Sequence, residues 1–308
     1  MQIIVLGAGA IGSLYGAKLA AANEVTLVGR ADHVAAINSD GLCIEGIEPQ
    51  VVRIRASTAI DEIGPNALIL LTTKVPGSAA ALAPIAPLVR DDTTILCLQN
   101  GLGGERIARV TLGDRGVVLR GIIQFGATFK GPGVVQHMTT GYTVIEQHPR
   151  SEHAAAVLTA AGLDCRISSN ITADVWHKLI LNCVVNPITA IFGCEVGGIA
   201  NAQLDPLKKL VIEECVAVAA TQGVAFDVDF LREITEVFRP SRNIASMLQD
   251  LRRGRPTEVD YMNGAVATLG AEQGVPCPVN DALATMIKSM EAKSRSLLPE
   301  KVLESQPA

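Results

Sequence analysis

A chain of 308 residues is long enough for two domains, because single hydrophobic cores stop growing at roughly 250 to 300 residues. Its 48% hydrophobic, 19% charged and 3% aromatic residues describe a packed globular protein with aliphatic cores. The net charge of −5 lacks the basic footprint that nucleic-acid binding requires, and the densest basic run, Arg252 to Arg255, reads as a solvated loop.

Residues 3–6 carry a buried-strand signal, followed at once by Gly7, Ala8, Gly9, Ala10, Ile11 and Gly12 and then a helical pattern to about residue 21. In strand–turn–helix order this GxGxxG pattern marks a dinucleotide site. Gly7 permits the tight turn, Gly9 lets the backbone approach a pyrophosphate, and Gly12 lets the helix pack on the strand. The next strand, 24–28, ends at Gly29-Arg30, where an NAD site carries an acid. A guanidinium there suits a 2′-phosphate held by two parallel hydrogen bonds, so NADPH/NADP+ is the expected cofactor. A surface arginine without a ligand is the bland alternative, and Asp32 just beyond offers a carboxylate to a ribose.

Residues 41–45 and 51–56 read as short strands in a hairpin-like excursion, and 67–71 as a buried strand running towards Lys74. A helix over 78–89 is interrupted by Pro84 and Pro87, and the strand 94–98 leads into Gln99-Asn100-Gly101-Leu102-Gly103. The carboxyl ends of parallel strands face the ligand crevice, which makes Lys74 and Asn100 candidates for contact with a bound group. Asn-Gly is equally a turn pair that needs no ligand. Strands over 117–123, 125–129, 134–138 and 142–145, with Gly131-Pro132-Gly133 as a hairpin turn, precede a helix over 151–161 and a strand over 164–167. The strand–helix alternation stops there, which divides the chain into 1–169 and 170–308.

The second half reads as all helix and opens with WHKLILNCVVNP over 176–187. At about 100° per residue, Lys178, Asn182 and Asn186 fall within an arc of about 80°, with Thr189 inside it, while every position between Lys178 and Asn186 other than Asn182 is apolar. A helix greasy on nearly all sides belongs in a core, where unpaired polar groups are costly, so the stripe needs a partner such as a bound substrate. Alternatively Lys178 snorkels to water and the asparagines bond backbone. Pro187 is expected to kink or end this helix after Asn186.

Further helices are expected over 206–221, 230–238, 244–251 and 257–273. Ser246 and Asp250 share a face of the third, and Thr257 is the expected N-cap of the fourth, with Glu258 in its first turn. Without a ligand, Glu258 answers the helix dipole and Ser246 is a surface serine. The last dozen residues are polar and expected to fray. Seven scattered cysteines without CxxC pairs suit a reducing compartment, and no metal-ligand spacing occurs among them or the five histidines. The absence of a leader pattern and of an apolar run near about 18 residues leads us to expect a cytoplasmic protein without membrane contact.

Taken together, GAGAIG at Gly7 to Gly12, Arg30, Lys74, QNGLG at Gln99 to Gly103, WHKLILNCVVNPITAI from Trp176, NIASMLQD from Asn243 and GRPTEVDYMNG from Gly254 resemble the ketopantoate reductases over nearly the whole chain. The resemblance implies an α/β Rossmann-like N-terminal domain, an all-α C-terminal domain and an active site in the cleft between them. It implies NADPH-dependent reduction of 2-dehydropantoate to (R)-pantoate on the route to pantothenate and coenzyme A. By the same resemblance Lys178 is the general acid, and Asn100, Asn182, Asn186 and Ser246 bind substrate. Glu258 binds substrate and organises Lys178, and Gly7 to Gly12, Arg30, Lys74, Asn100 and Glu258 meet the cofactor. Two alternatives remain: a paralogue acting on another 2-oxo acid, and a non-catalytic NADP(H)-binding regulator. The expected partner is a small 2-oxo acid; the sequence leaves a homodimer open.

Overall fold

The computed structural model describes residues 1–113 and 115–296. They form two compact units, Met1–Asp174 and the described residues from Val175 onward. The polar tail expected to fray lies outside the described residues.

In the first unit the chain runs β1 (Gln2–Leu6), α1 (Ala10–Leu19), β2 (Glu24–Val28), α2 (Ala31–Asp40), β3 (Leu42–Gly46), β4 (Gln50–Val52), β5 (Arg55–Ser57), β6 (Leu68–Leu71) and α3 (Ser78–Leu82). It continues through β7 (Thr94–Cys97), α4 (Gly104–Leu112), β8 (Val117–Ile123), β9 (Gly126–Gly131), β10 (Val134–Thr139), β11 (Thr143–Glu146), α5 (Ser151–Ala160) and β12 (Cys165–Ser168). Eight strands make one sheet in the order β12-β11-β8-β7-β6-β1-β2-β5, parallel throughout except where β11 meets β8. The chain winds outward from β1 through β2 to β5, then returns to β6 and winds the other way, so the strand order reverses between β1 and β6. Such a reversal opens a crevice at the carboxyl ends of the strands.

The central strands β1, β6 and β7 are almost continuously apolar because both faces are covered. Ile3 and Val5 point into a core shared with Leu14, Leu27, Ile37, Leu158 and the second sheet. Ile4 and Leu6 point to the opposite face, with Leu82, Ile85 and Leu112. That second sheet has the order β4-β3-β10-β9. It also corrects one expectation: 51–56 is not a single strand, since β4 pairs with β3 and β5 with β2 in the large sheet.

The second unit contains α6 (Ile171–Phe192, whose first turn belongs to the first unit), α7 (Asp205–Thr221), α8 (Phe230–Phe238), α9 (Ser246–Arg252), α10 (Asn263–Gln273) and α11 (Pro278–Ser296). Among its described residues no strand forms. Among the described residues, α6 alone is long and apolar enough to cross a membrane, although no apolar run of that length was expected from the sequence. However, 72% of its most apolar window is buried inside the protein, as in a core helix.

Two helix expectations change. Pro187 does not end α6, which continues five residues to Phe192. The helix expected from Thr257 begins only at Asn263, after a short 3₁₀ turn over Val259–Tyr261. Thr257 is not an N-cap of a long helix, because its backbone N–H and its hydroxyl both donate to Glu291 Oε1, at 2.7 and 2.5 Å. Met262, at φ −115° and ψ −101°, then separates the 3₁₀ turn from α10.

Candidate active site

The nucleotide half is assembled at the carboxyl ends of four adjacent strands. Leu6 registers with Val28 on one side and Leu71 on the other, and Leu71 with Cys97, so β2, β1, β6 and β7 end level. The residues that follow them carry Arg30, the glycine loop, Lys74 and Asn100. With strands about 4.8 Å apart, the Arg30 and Lys74 strand ends flank the glycine loop at a separation of about 10 Å.

The loop is tied down by its backbone: Gly7 and Ala8 N–H both donate to Val28 O, at 3.0 and 2.8 Å. Gly7 has φ +106°, and a Cβ there would lie 2.4 Å from Thr73 N. A Cβ on Gly12 would lie 2.2 Å from Gly7 O and 2.5 Å from Thr72 Oγ1, which is why only glycine lets α1 seat against the turn. Gly9 is different: a Cβ there meets nothing closer than Gly7 O at 4.0 Å, and it stands at the N-cap of α1 with no side chain to satisfy the first amides. Thr73 Oγ1, at the adjacent strand end, is buried without a hydrogen-bond partner. An open cradle, amides at a helix N-terminus and an orphaned hydroxyl fit the pyrophosphate of a dinucleotide.

Arg30 is exposed at the N-cap of α2, with its Cζ 5.9 Å from the Phe129 ring centroid. His33 packs on the same ring at 4.9 Å. Gly133 N–H donates to His33 Nδ1 at 2.8 Å, so the other ring nitrogen, Nε2, carries the proton and donates to Ser13 Oγ at 3.0 Å. His33 therefore clips α2 to α1 and to the β9–β10 turn, as a neutral imidazole whose pKa is pushed down, chiefly by burial. Asp32 bonds the His33 amide, at 2.8 Å. Lys74 is half-buried at the N-cap of the 3₁₀ turn Val75–Gly77. The Asn100 loop is held from both ends: Gln99 Nε2 donates to Ser78 Oγ at 2.7 Å, and the buried Arg120 donates to Gly101 O at 2.8 Å.

Phe129 on the second sheet and His33 on α2 were missed in the sequence because their contact joins positions 96 residues apart and gives no local signal. α2 and α4 were missed as well. In the first the large apolar residues are only Val34 and Ile37, and the second starts inside a glycine run whose left-handed members, Gly101 and Gly103, read as turn.

The helical half keeps the stripe on α6. Lys178 and Asn182 are half-buried, Asn186 is 8% exposed and Thr189 is fully buried. Thr189 belongs to the core, since its hydroxyl donates to Val185 O at 2.7 Å. Asn186 Nδ2 lies 3.6 Å from Met262 Sδ, which brings the segment bearing Glu258 against the stripe. Glu258 is half-buried at the start of the 3₁₀ turn, and Ser246 is the exposed first residue of α9. Next to Lys178, His177 pairs with Glu233 at 3.0 Å and stacks on Phe230 at 5.3 Å.

A doubly wound nucleotide unit followed by an all-helical unit with a lysine–asparagine stripe defines a class of nicotinamide-dependent reductases. Residues 3–150 match the family described as "Ketopantoate reductase PanE/ApbA", and 170–291 match its C-terminal family. The chain belongs to the ketopantoate reductase family. It is 37% identical over 300 residues to a 2-dehydropantoate 2-reductase of Pyrococcus horikoshii, covering 95% of this chain and 98% of that protein. A crystal structure of a PanE/ApbA family ketopantoate reductase from Ralstonia eutropha superposes with a TM-score of 0.86 at 32% identity, covering 96% of this chain and all of that one. D-mandelate dehydrogenase with NADH and anilino(oxo)acetate superposes at 0.85 with 27% identity, covering 96% and 99%.

Proposed function

We propose that this chain is an NADPH-dependent 2-dehydropantoate 2-reductase, with residues 1–169 holding the cofactor and 170–308 supplying substrate contacts and the acid. The observation that carries this reading is the Lys178, Asn182, Asn186 stripe on α6 in a chain matched to the family along both halves. When bound, NADPH supplies a hydride to C2 of the 2-oxo acid. The oxygen at C2 gains charge as the hydride arrives, and Lys178 gives it a proton. Asn182, Asn186, Asn100 and Ser246 orient the substrate by hydrogen bonds without adding a charge that competes with the lysine. Glu258 contacts the bound molecules and holds the ammonium in place. Arg30 and Lys74 grip the 2′-phosphate.

The neighbour that holds NADH and an oxo acid analogue supports a second reading, an NADH-dependent reductase of aryl 2-oxo acids. Initial rates with ketopantoate and phenylglyoxylate, each with NADPH and NADH, separate the two. Ketopantoate with NADPH is expected to give the highest kcat/KM and (R)-pantoate as product; ketopantoate among the poor substrates overturns the first reading. Two copies are expected to pair through the helical unit, which leaves Phe192, Leu210 and Met286 exposed, and light scattering tests that.

A further inference from the structure

We propose that Asn263 is a positioning residue for the α6 stripe, supplying the hydrogen bond that Pro187 removes from the helix; this rests on the roles given above to Lys178, Asn182 and Asn186. A proline inside a helix has no N–H to give the carbonyl four residues back, and its ring crowds that carbonyl. Here the carbonyl belongs to Cys183, a residue with no solvent exposure, so bulk water cannot replace the partner. Asn263 Nδ2 lies 2.9 Å from Cys183 O. The bond comes from the first residue of another helix, and α6 passes through the proline to Phe192.

The orientation of that amide is set from a distance. Glu214 accepts from Val279 N–H and Asn280 N–H, both at 2.8 Å, at the start of α11. A carboxylate of this kind only accepts, so the Asn280 Nδ2 group faces it, at 2.8 Å. Asn280 Oδ1 is thereby turned toward Asn263, whose Nδ2 donates to it at 2.9 Å and whose donor side thus faces α6. Asn263 and Asn280 are fully buried, so no solvent competes for the arrangement. Asn263 Oδ1 is itself buried with no hydrogen-bond partner, so among its side-chain atoms the amide nitrogen alone makes hydrogen bonds, to Cys183 O and Asn280 Oδ1. The preceding residue, Met262, meets Asn186, so one turn of chain fixes both the continuity of α6 and the setting of an amide in the stripe.

The test is a double-mutant cycle, because Pro187→Ala restores the missing amide at position 187 and makes Asn263 dispensable for α6. Asn263→Leu is expected to lower kcat for ketopantoate by roughly tenfold to a hundredfold, as small misplacements of reacting groups do, with the NADPH Kd unchanged. In the Pro187→Ala background the same replacement is expected to cost less than about threefold. Equal losses in both backgrounds overturn the proposal, and so does a parallel loss of NADPH affinity. Amide exchange over residues 188–192 reads the coupling without substrate: Asn263→Leu accelerates it only while Pro187 is present. If the unsubstituted chain fails to reduce ketopantoate, the functional reading falls and the exchange arm still decides this one. If Asn263→Leu does not fold, Asn263→Ala enters the same cycle. Folding of either only alongside Pro187→Ala supports the coupling, and folding of neither in either background counts against it.

Discussion

In the proposed reading Arg30 selects the cofactor and Lys178 supplies the proton, and the two make separable predictions. Arg30 stands exposed beside Phe129 at a strand end where an acid would serve NAD. Arg30→Ala is expected to weaken NADPH binding by about tenfold or more, the worth of a charge-assisted phosphate contact, and to leave NADH nearly untouched. Fluorescence titration with both cofactors reads this, and equal losses make Arg30 structural. Lys178→Ala is expected to lower kcat by about 10²- to 10⁴-fold with the NADPH Kd kept, the range for loss of a general acid. A variant with near-full turnover removes the assignment. His33, 1% exposed and held neutral by burial, predicts a pH effect on stability. Asp32 opposes that shift and Arg30 adds to it. Because its folded pKa lies below the ordinary 6.5, the unfolded chain takes up a proton first as pH falls. Stability contributed by neutral His33 is therefore complete above about pH 6.5 and is lost below it, by up to about 1.4 kcal/mol per pH unit, until the folded pKa is reached. Urea titrations at several pH values should show a shallower acid-side loss in His33→Gln than in the unsubstituted protein; identical slopes refute it.

At the scale of elements, legibility followed the range of the forces that make each one. The GxGxxG turn, the buried strands β1, β2, β6 and β7 and the helix α8 were legible because their signals are local: uninterrupted apolar runs, glycines at fixed spacing, and an apolar face repeating at helical period. α6 was legible as a helix and as a carrier of the polar stripe, but its passage through Pro187 was not, because the compensating amide lies 80 positions later in the sequence. The start of α10 was misplaced for a similar reason, since Thr257 spends its hydrogen bonds on Glu291 of α11. α11 itself went unread. The glycine turn offers the sharpest test at this scale. Gly12→Ala forces a methyl group to within 2.2 Å of the Gly7 backbone oxygen, with the side chains of Thr72 and Val5 at 2.5 and 3.1 Å on its other sides. The expected cost is about 1 to 3 kcal/mol, as for overpacking elsewhere, with cofactor binding lost at the same time because the loop must shift. Calorimetry and NADPH titration of one preparation check both, and an unchanged midpoint contradicts the packing argument.

At the scale of the whole molecule, the proposed division of labour rests on where each kind of residue sits. Backbone amides at a helix N-terminus, strand-end cations, an open glycine cradle and Asn100 occur in Met1–Asp174, while Lys178, Asn182 and Asn186 stand on α6 in the helical unit. A ligand that binds the folded form stabilises what it binds, by about 2.7 kcal/mol at a hundred times its Kd. If NADPH is held by the first unit, that energy is delivered to the segments that fold with β1, α1, β2 and β6. Hydrogen exchange resolves such differences, because local openings report the stability of their own cooperative segment. Saturating NADPH is therefore expected to slow exchange in Gln2–Leu6, Ala10–Leu19 and Leu68–Leu71, while Asp205–Thr221 and the buried turns of α11 keep their rates. Adding a 2-oxo acid analogue with the cofactor should then slow exchange in α6 around Asn182 and Asn186. Protection of α7 and α11 by NADPH alone, equal to that of β1, would mean that the units do not divide the binding, and the roles assigned to them would fall together.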